Sequence, residues 1–201
     1  MSKVHECPIE TLHPTQITVG MIEVHDKRKL LRELGHDERK NYLRAHPIPA
    51  VLGPGDKLYI TDHHHLGRAL HDEAIEHGLF LVEEDFSALD LALFWLRMET
   101  RQWAHPFNAK GQRCGLNEIP KHLTDLVDDP YRSLAGYVRE AGGYIKSSIA
   151  FAEFAWADFF RKLMKLDGSL DHFDAAVSAA VKLAHSAQAR GLPGYIEKTF
   201  D

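Results

Sequence analysis

The chain has 201 residues, 44% of them hydrophobic and 26% charged, with a formal net charge of −5. This length and balance fit one full domain with a helical annex and exclude a disordered chain. The negative charge argues against a protein whose whole surface attracts nucleic acid or anionic lipid.

Cys7 and Cys114 lie too far apart in sequence for a metal-binding pair, and two thiols suit a reducing compartment. "MSKVHECPIE" has no apolar signal core, and no apolar run approaches a membrane span. A cytoplasmic protein without a membrane partner is expected.

In chain order, "IETLHPTQITVG" mixes β-branched and polar residues around Pro14 and reads as extended structure. "MIEVHDKRKLLREL" has a weak helical period that stops at Gly35. From Asp26 to Arg44 seven basic residues face four acidic ones, a net of +3. "HPIPAVLGPGDKLYITD" reads as a β-hairpin, with Ile48–Leu52 and Leu58–Thr61 as arms around "GPGD". The helix that follows buries Leu66, Ala69, Leu70 and Ala74, with Asp62 as its N-cap and Gly78 as its stop. "LFLVEED" is a further strand.

The second half reads as helical. Ser87 and Asp90 form a capping box ahead of "ALDLALFWLRMETRQW", whose apolar residues run nearly all round, as in a buried helix. "IPKHLTDLVDD", "DPYRSLAGYVREAG", "IAFAEFAWADFFRKLMKL" and "DHFDAAVSAAVKLAHSA" follow as helices. In "DPYRSLAG", Asp129 is the cap and Pro130 opens the first turn. The expected division is residues 1–85 as an α+β portion and 86–201 as a helical portion packed against it.

Three consecutive histidines, His63–His65, stand between the hairpin and its helix. A strand–loop–helix N-terminus favours phosphate or carboxylate through its N–H groups and the helix dipole. On this reading His63 and the backbone after Asp62 hold the anion, and Arg68 reaches it bidentately. The alternative is a Zn or Fe site. On an extended segment His63 and His65 converge while His64 points away, and Glu23 adds a carboxylate. The bland reading is exposed histidines at a turn. Lys27 could lean over an anion from its helix, and Trp103, His105 and Phe107 wall a pocket or staple their loop to the core. From His71 to Thr100 eight acids face Arg97 alone, a net of −7 that would repel a DNA backbone.

"LHPTQITVG" and "GDKLYITDHHHLGRAL" resemble the two signatures of the ParB/sulfiredoxin superfamily. The first is a proline–x–glutamine step after a short strand; the second is a glycine-turn hairpin running into a polar loop and helix. The segments "DHHHLGRALHDE", "FNAKG" (Phe107–Gly111), "DPYRSLAG" (Asp129–Gly136) and "LPG" (Leu192–Gly194) resemble its ParB-like nuclease branch over nearly the whole chain. The resemblance implies an α+β fold: a small ParB/sulfiredoxin-like mixed sheet with helices, plus the helical C-terminal portion.

It also places His64 and His65 on the family's two polar binding positions and Arg68–Ala69 on its Arg–Ala pair. Superfamily members hold nucleotide phosphates at this loop. A related free-serine kinase carries a catalytic glutamate where Glu23 stands, which implies a general base. His63 replaces the usual glycine and Leu66 an arginine. No basic face marks a helix-turn-helix.

The expected function is therefore a small-molecule enzyme performing phosphotransfer or phosphoester hydrolysis. Glu23, His64 and His65 are its acid–base candidates, and Asp62, His63, Arg68, Lys27 and His105 its ligand-binding candidates. Its cofactor would be a nucleotide with Mg²⁺. The second reading is a Zn or Fe enzyme using His63, His65 and Glu23. The third is a nuclease module, although nucleic acid is not the expected partner.

Overall fold

Strand–turn–strand pairing around "GPGD" sets the centre of a mixed sheet, and the computed structural model describes residues 4–166 and 172–197. The sheet contains β1 (Val4–Pro8), β2 (Leu12–His13), β4 (Ile48–Gly53), β5 (Lys57–Ile60) and β6 (His77–Asp85), in the order β1-β6-β4-β5-β2. A separate parallel pair joins β3 (Thr18–Val19) to β7 (Val127–Asp128). In the hairpin Leu52 pairs with Leu58 and Gly53 with Lys57, while Gly55 (φ 71°) and Asp56 (φ 56°) turn the chain in the left-handed region.

Along β4 and β6 the parallel register slips once. Ala50 pairs with Val82 but Val51 with Glu84, so Glu83 is an extra residue in a bulge. The bulge aims Glu83 at the end of β5, where its carboxylate accepts a 2.9 Å hydrogen bond from Thr61 Oγ1.

Because side chains alternate along a strand, the sheet supports a core on each face. Ile48, Ala50, Ile60 and Phe80 pack with Val24 and Leu31 of α1 (Met21–Glu33) and with Leu66, Ala69 and Leu70 of α3 (His64–Asp72). Val51 and Tyr59 pack with Phe94 and Met98 of α4 (Leu91–Thr100). Each large side chain buried in this way contributes about 1.5–3 kcal/mol. Between α1 and β4 lies α2 (His36–Ala45), whose start is fixed by the Glu38 carboxylate accepting from Gly35 N–H at 3.0 Å.

Several expectations are corrected. The helix after the histidines ends at Asp72, with Glu73 as its C-cap and Ala74 at φ 51°, and Gly78 lies inside β6. A Cβ on Gly78 would stand 2.7 Å from Ile9, so the glycine serves packing rather than a helix stop. Asp90 alone caps α4, accepting from Leu93 N–H at 2.8 Å, while Ser87 bonds Asp85. Nor is α4 buried all round: Leu91, Leu93 and Leu96 are 56%, 51% and 59% exposed. "IPKHLTDLVDD" forms a single 3-10 turn, Leu123–Asp125, and then β7, because Val127 N–H is drawn to Ile17 O at 3.0 Å.

The chain forms two compact units. The first runs to Asn108 and adds Gln112–Asp128; the second takes Ala109–Gly111 and the chain from Asp129. α4 therefore belongs to the first unit, although helical patterning begins at residue 86.

In the second unit α5 (Pro130–Glu140), α6 (Ala152–Leu163) and α7 (Phe173–Ala184) bury Leu134, Val138, Trp156, Phe160 and Ala180. Asp129 caps α5 as expected, accepting from Tyr131 N–H at 3.1 Å. Arg161 pairs with Asp129 and Asp158. Burial pushes the Asp129 carboxyl up, against the opposing pull of Arg161. On α6, Trp156 and Phe160 are buried but Leu163 is exposed, and Ile149 lies before the helix begins and is exposed too.

Candidate functional site

The buried segment from Pro14 to Gly20 is the floor of the candidate site. It leads into α1, and α3 begins directly beside it. β5 ends at Ile60, and His63 adopts φ 60°, ψ 30° to turn the chain into α3. His63, not Asp62, is the N-cap. Asp62 stands one residue earlier and accepts from His63 N–H at 2.7 Å. The His63 side chain makes no cap hydrogen bond to the first turn of α3. The residue that replaces the family's glycine thus keeps the backbone conformation that glycine favours.

His64 and His65 lie on α3 itself, so the expected alternation of an extended segment is corrected to helical divergence. His64 is 3% exposed, and its Nε2 accepts from Thr15 N–H at 3.1 Å. Thr15 Oγ1 donates in turn to Ile60 O at 2.8 Å, tying the segment to the end of β5. His65 Nε2 accepts from Gly20 N–H, also at 3.1 Å, at the start of α1. The two rings therefore hold opposite ends of the Thr15–Gly20 segment through the same kind of bond. Glu23, in the first turn of α1, brings Oε1 within 3.7 Å of His65 Nε2, with both side chains largely covered. Met21 N–H donates to Asp128 Oδ1 at 2.9 Å. The N-termini of α1 and α3 thus meet, and Glu23, His65 and Asp128 surround the junction.

His105 is brought to the other side of the segment. Its N–H donates to Thr15 O at 2.8 Å, and its ring stacks on Phe107 with centroids 4.4 Å apart. Trp103 packs beside Phe86, so this loop is stapled to the core. Lys27 lies one turn beyond Glu23 on α1 and is partly exposed.

Arg68 corrects the expected anion clamp. Nε donates to Asp72 Oδ1 at 2.9 Å, and Nη1 reaches the carbonyls of Leu123 and Thr124, each at 3.2 Å. It braces the 3-10 turn against α3. Among the described residues, no group of three or more His, Cys, Asp or Glu side chains gathers to hold a metal ion. His65 and Glu23 stand 3.7 Å apart, but His63 does not join them in a ligand set. Arg132 is buried in the second unit, over the Phe154 ring at 3.8 Å. No described helix is long and apolar enough to cross a membrane.

Thr15, Gly20 and Asp128 were not singled out from the sequence. The proline–x–glutamine step marked the first of these by position. Asp128 carries no local signal, since only the β3–β7 pairing brings it to α1.

A mixed sheet entering a helix N-terminus through a glycine hairpin, with a buried proline–x–glutamine segment beneath it, defines a ParB-like domain. The chain belongs to the family described as "Putative ParB-like nuclease", which it matches over residues 5–162. The crystal structure of protein Atu1540 from Agrobacterium tumefaciens is similar at 45% identity, covering 99% of each chain with a TM-score of 0.92. The C-terminally truncated chromosome-partitioning protein ParB from Caulobacter crescentus, complexed with CTP-γ-S, aligns at 15% identity and a TM-score of 0.35, covering 92% of this chain and 94% of that one. Its complex with the centromeric parS site aligns at 18% identity and 0.32, covering 91% and 98%. No curated protein matches the sequence.

Proposed function

We propose that the first unit binds the phosphate or carboxylate of a small molecule, nucleotides included, at the turn from β5 into α3. Phosphotransfer or phosphoester cleavage is the chemistry that suits it. One observation carries this reading: Glu23 lies 3.7 Å from His65 at the junction of two helix N-termini. Two positive dipole ends favour an anion there, and a carboxylate beside an imidazole is equipped for general acid–base work. Glu23 is the acid–base group. His65 stands beside it and holds the start of α1 through Gly20 N–H, and His64 supports the floor from below. His63 and the N–H groups that follow form the anion rim, with Lys27 adding charge from α1. A nucleotide would bring Mg²⁺ as its own counter-ion.

Thermal unfolding in the presence of nucleoside triphosphates, diphosphates and inorganic phosphate, each with and without Mg²⁺, tests this reading. The Tm should rise with at least one of them. Glu23→Gln should keep that rise and lose phosphate release or transfer. No rise with any of these ligands at millimolar concentration rejects the proposal. Cleavage of DNA by the wild type and not by Glu23→Gln would assign the site to a nuclease instead.

A further inference from the structure

Helix α4 fills the core of the first unit with one face and leaves a second apolar face in solvent. Phe94 and Met98 are buried, whereas Leu93 and Leu96 stay more than half exposed. Within α4, Leu93 and Leu96 stand three residues apart on one face, with Thr100 four residues further on. That spacing sets the two leucines side by side, as at the contact line of two packed helices. An exposed apolar stripe with charges at its rim marks a contact surface.

The charges indicate what the surface contacts. Asp90 and Arg97 are seven residues apart and lie on the same flank of the stripe. Arg97 makes no ion pair among the described residues, and Asp90 uses Oδ1 to cap Leu93 N–H. The opposite flank carries Ala92 and Glu99, and Glu99 is already paired with Arg113. Laid antiparallel on a copy of itself, this flank meets its own counterpart. Asp90 then faces the partner's Arg97, and Arg97 faces the partner's Asp90. Leu93 meets the partner's Leu96 in the same register. A parallel pair would set Asp90 and Arg97 against Ala92 and Glu99 and lose this match.

We propose that α4 is a self-association surface, pairing antiparallel and isologously with α4 of a second copy of this chain. The helix has ten residues, so the pair is a modest, concentration-dependent dimer rather than an obligate one.

Sedimentation velocity of the full chain over a range of concentrations tests the proposal. The wild type should pass from monomer to dimer as concentration rises. Leu96→Asp and Arg97→Glu each alter an exposed side chain and should remain monomeric over that range with unchanged circular dichroism. Asp90→Lys should also fail to dimerise. Mixing Arg97→Glu with Asp90→Lys should restore a dimer, because each charge then meets its opposite across the interface. A wild type that stays monomeric throughout overturns the proposal. So does a dimer indifferent to Leu96→Asp. A dimer lost with Leu96→Asp but unchanged by Arg97→Glu overturns the antiparallel register.

Discussion

An α-helix turns by about 100° per residue, so His64 and His65 leave α3 in different directions and reach different ends of one segment. Both offer Nε2 as an acceptor to a backbone N–H, which places the proton of each neutral ring on Nδ1. His64→Phe keeps most of the ring volume and removes the acceptor, leaving Thr15 N–H buried. It should destabilise the protein by about 1–3 kcal/mol in urea unfolding, with faster amide exchange at Thr15. His63 is the other residue whose role is set by backbone geometry. At φ 60° a side chain costs about 1 kcal/mol, which glycine would relieve while adding a similar entropy to the unfolded chain. His63→Gly should therefore be close to neutral, and the β-branched His63→Val should cost about 1–2 kcal/mol in the same measurement.

Among the elements, α1 and α3 are braced at the end remote from the site. The Glu73 carboxylate accepts from Arg28 Nε at 2.7 Å and from Arg32 Nε and Nη2 at 2.8 and 2.9 Å. These guanidinium bonds hold its carboxyl down to about 2, from an ordinary 4.5. Its folded value is the depressed one, so the stability it contributes is fully present above 4.5 and is lost as pH falls towards 2. Urea midpoints measured through that window should fall more steeply for the wild type than for Glu73→Gln. In the second unit, Gly194 sits at φ 75°, and an added Cβ would lie 2.0 Å from Ile145 O. Backbone cannot move aside as a side-chain tip can. Gly194→Ala should cost about 3 kcal/mol or more, from strain and overpacking together, read as a fall in Tm.

Elements with a strong period or an unambiguous turn were legible in the sequence. The hairpin declared itself through "GPGD", α5 through Asp129 and Pro130, and α6 through its aromatic stripe. α2 did not, because "HDERKNYLRA" has only Tyr42 and Leu43 to bury and depends on Glu38 to start it. The stretch before Asp129 has helix-like leucines, but pairing with β3 decides its conformation, and pairing partners distant in sequence leave no local mark. For the same reason the loop of the candidate site could be placed between strand and helix from the sequence, while its hydrogen bonds could not. The histidine loop was found by its neighbours, whereas Arg68 attached to Leu123 and Thr124 could be seen only in three dimensions.

For the whole molecule, a net charge of −5 opposes a sequence-independent grip on DNA, and the acidic stretch from His71 to Thr100 strengthens that opposition. A gel-shift assay with duplex DNA at physiological salt should show no complex. A complex that weakened steeply with added salt would instead reveal a basic track of phosphate contacts.

The chain passes between its two units three times, because Ala109–Gly111 belongs with the second while its flanks belong with the first. Gly111 lies so close to Asp158 and Arg161 that an added Cβ would be 2.5 Å from the Asp158 carboxylate. During synthesis these three residues leave the ribosome well before α5, α6 and α7 exist to receive them. The second unit is thus begun early and finished last, and no single cut in the gene separates it whole from the first.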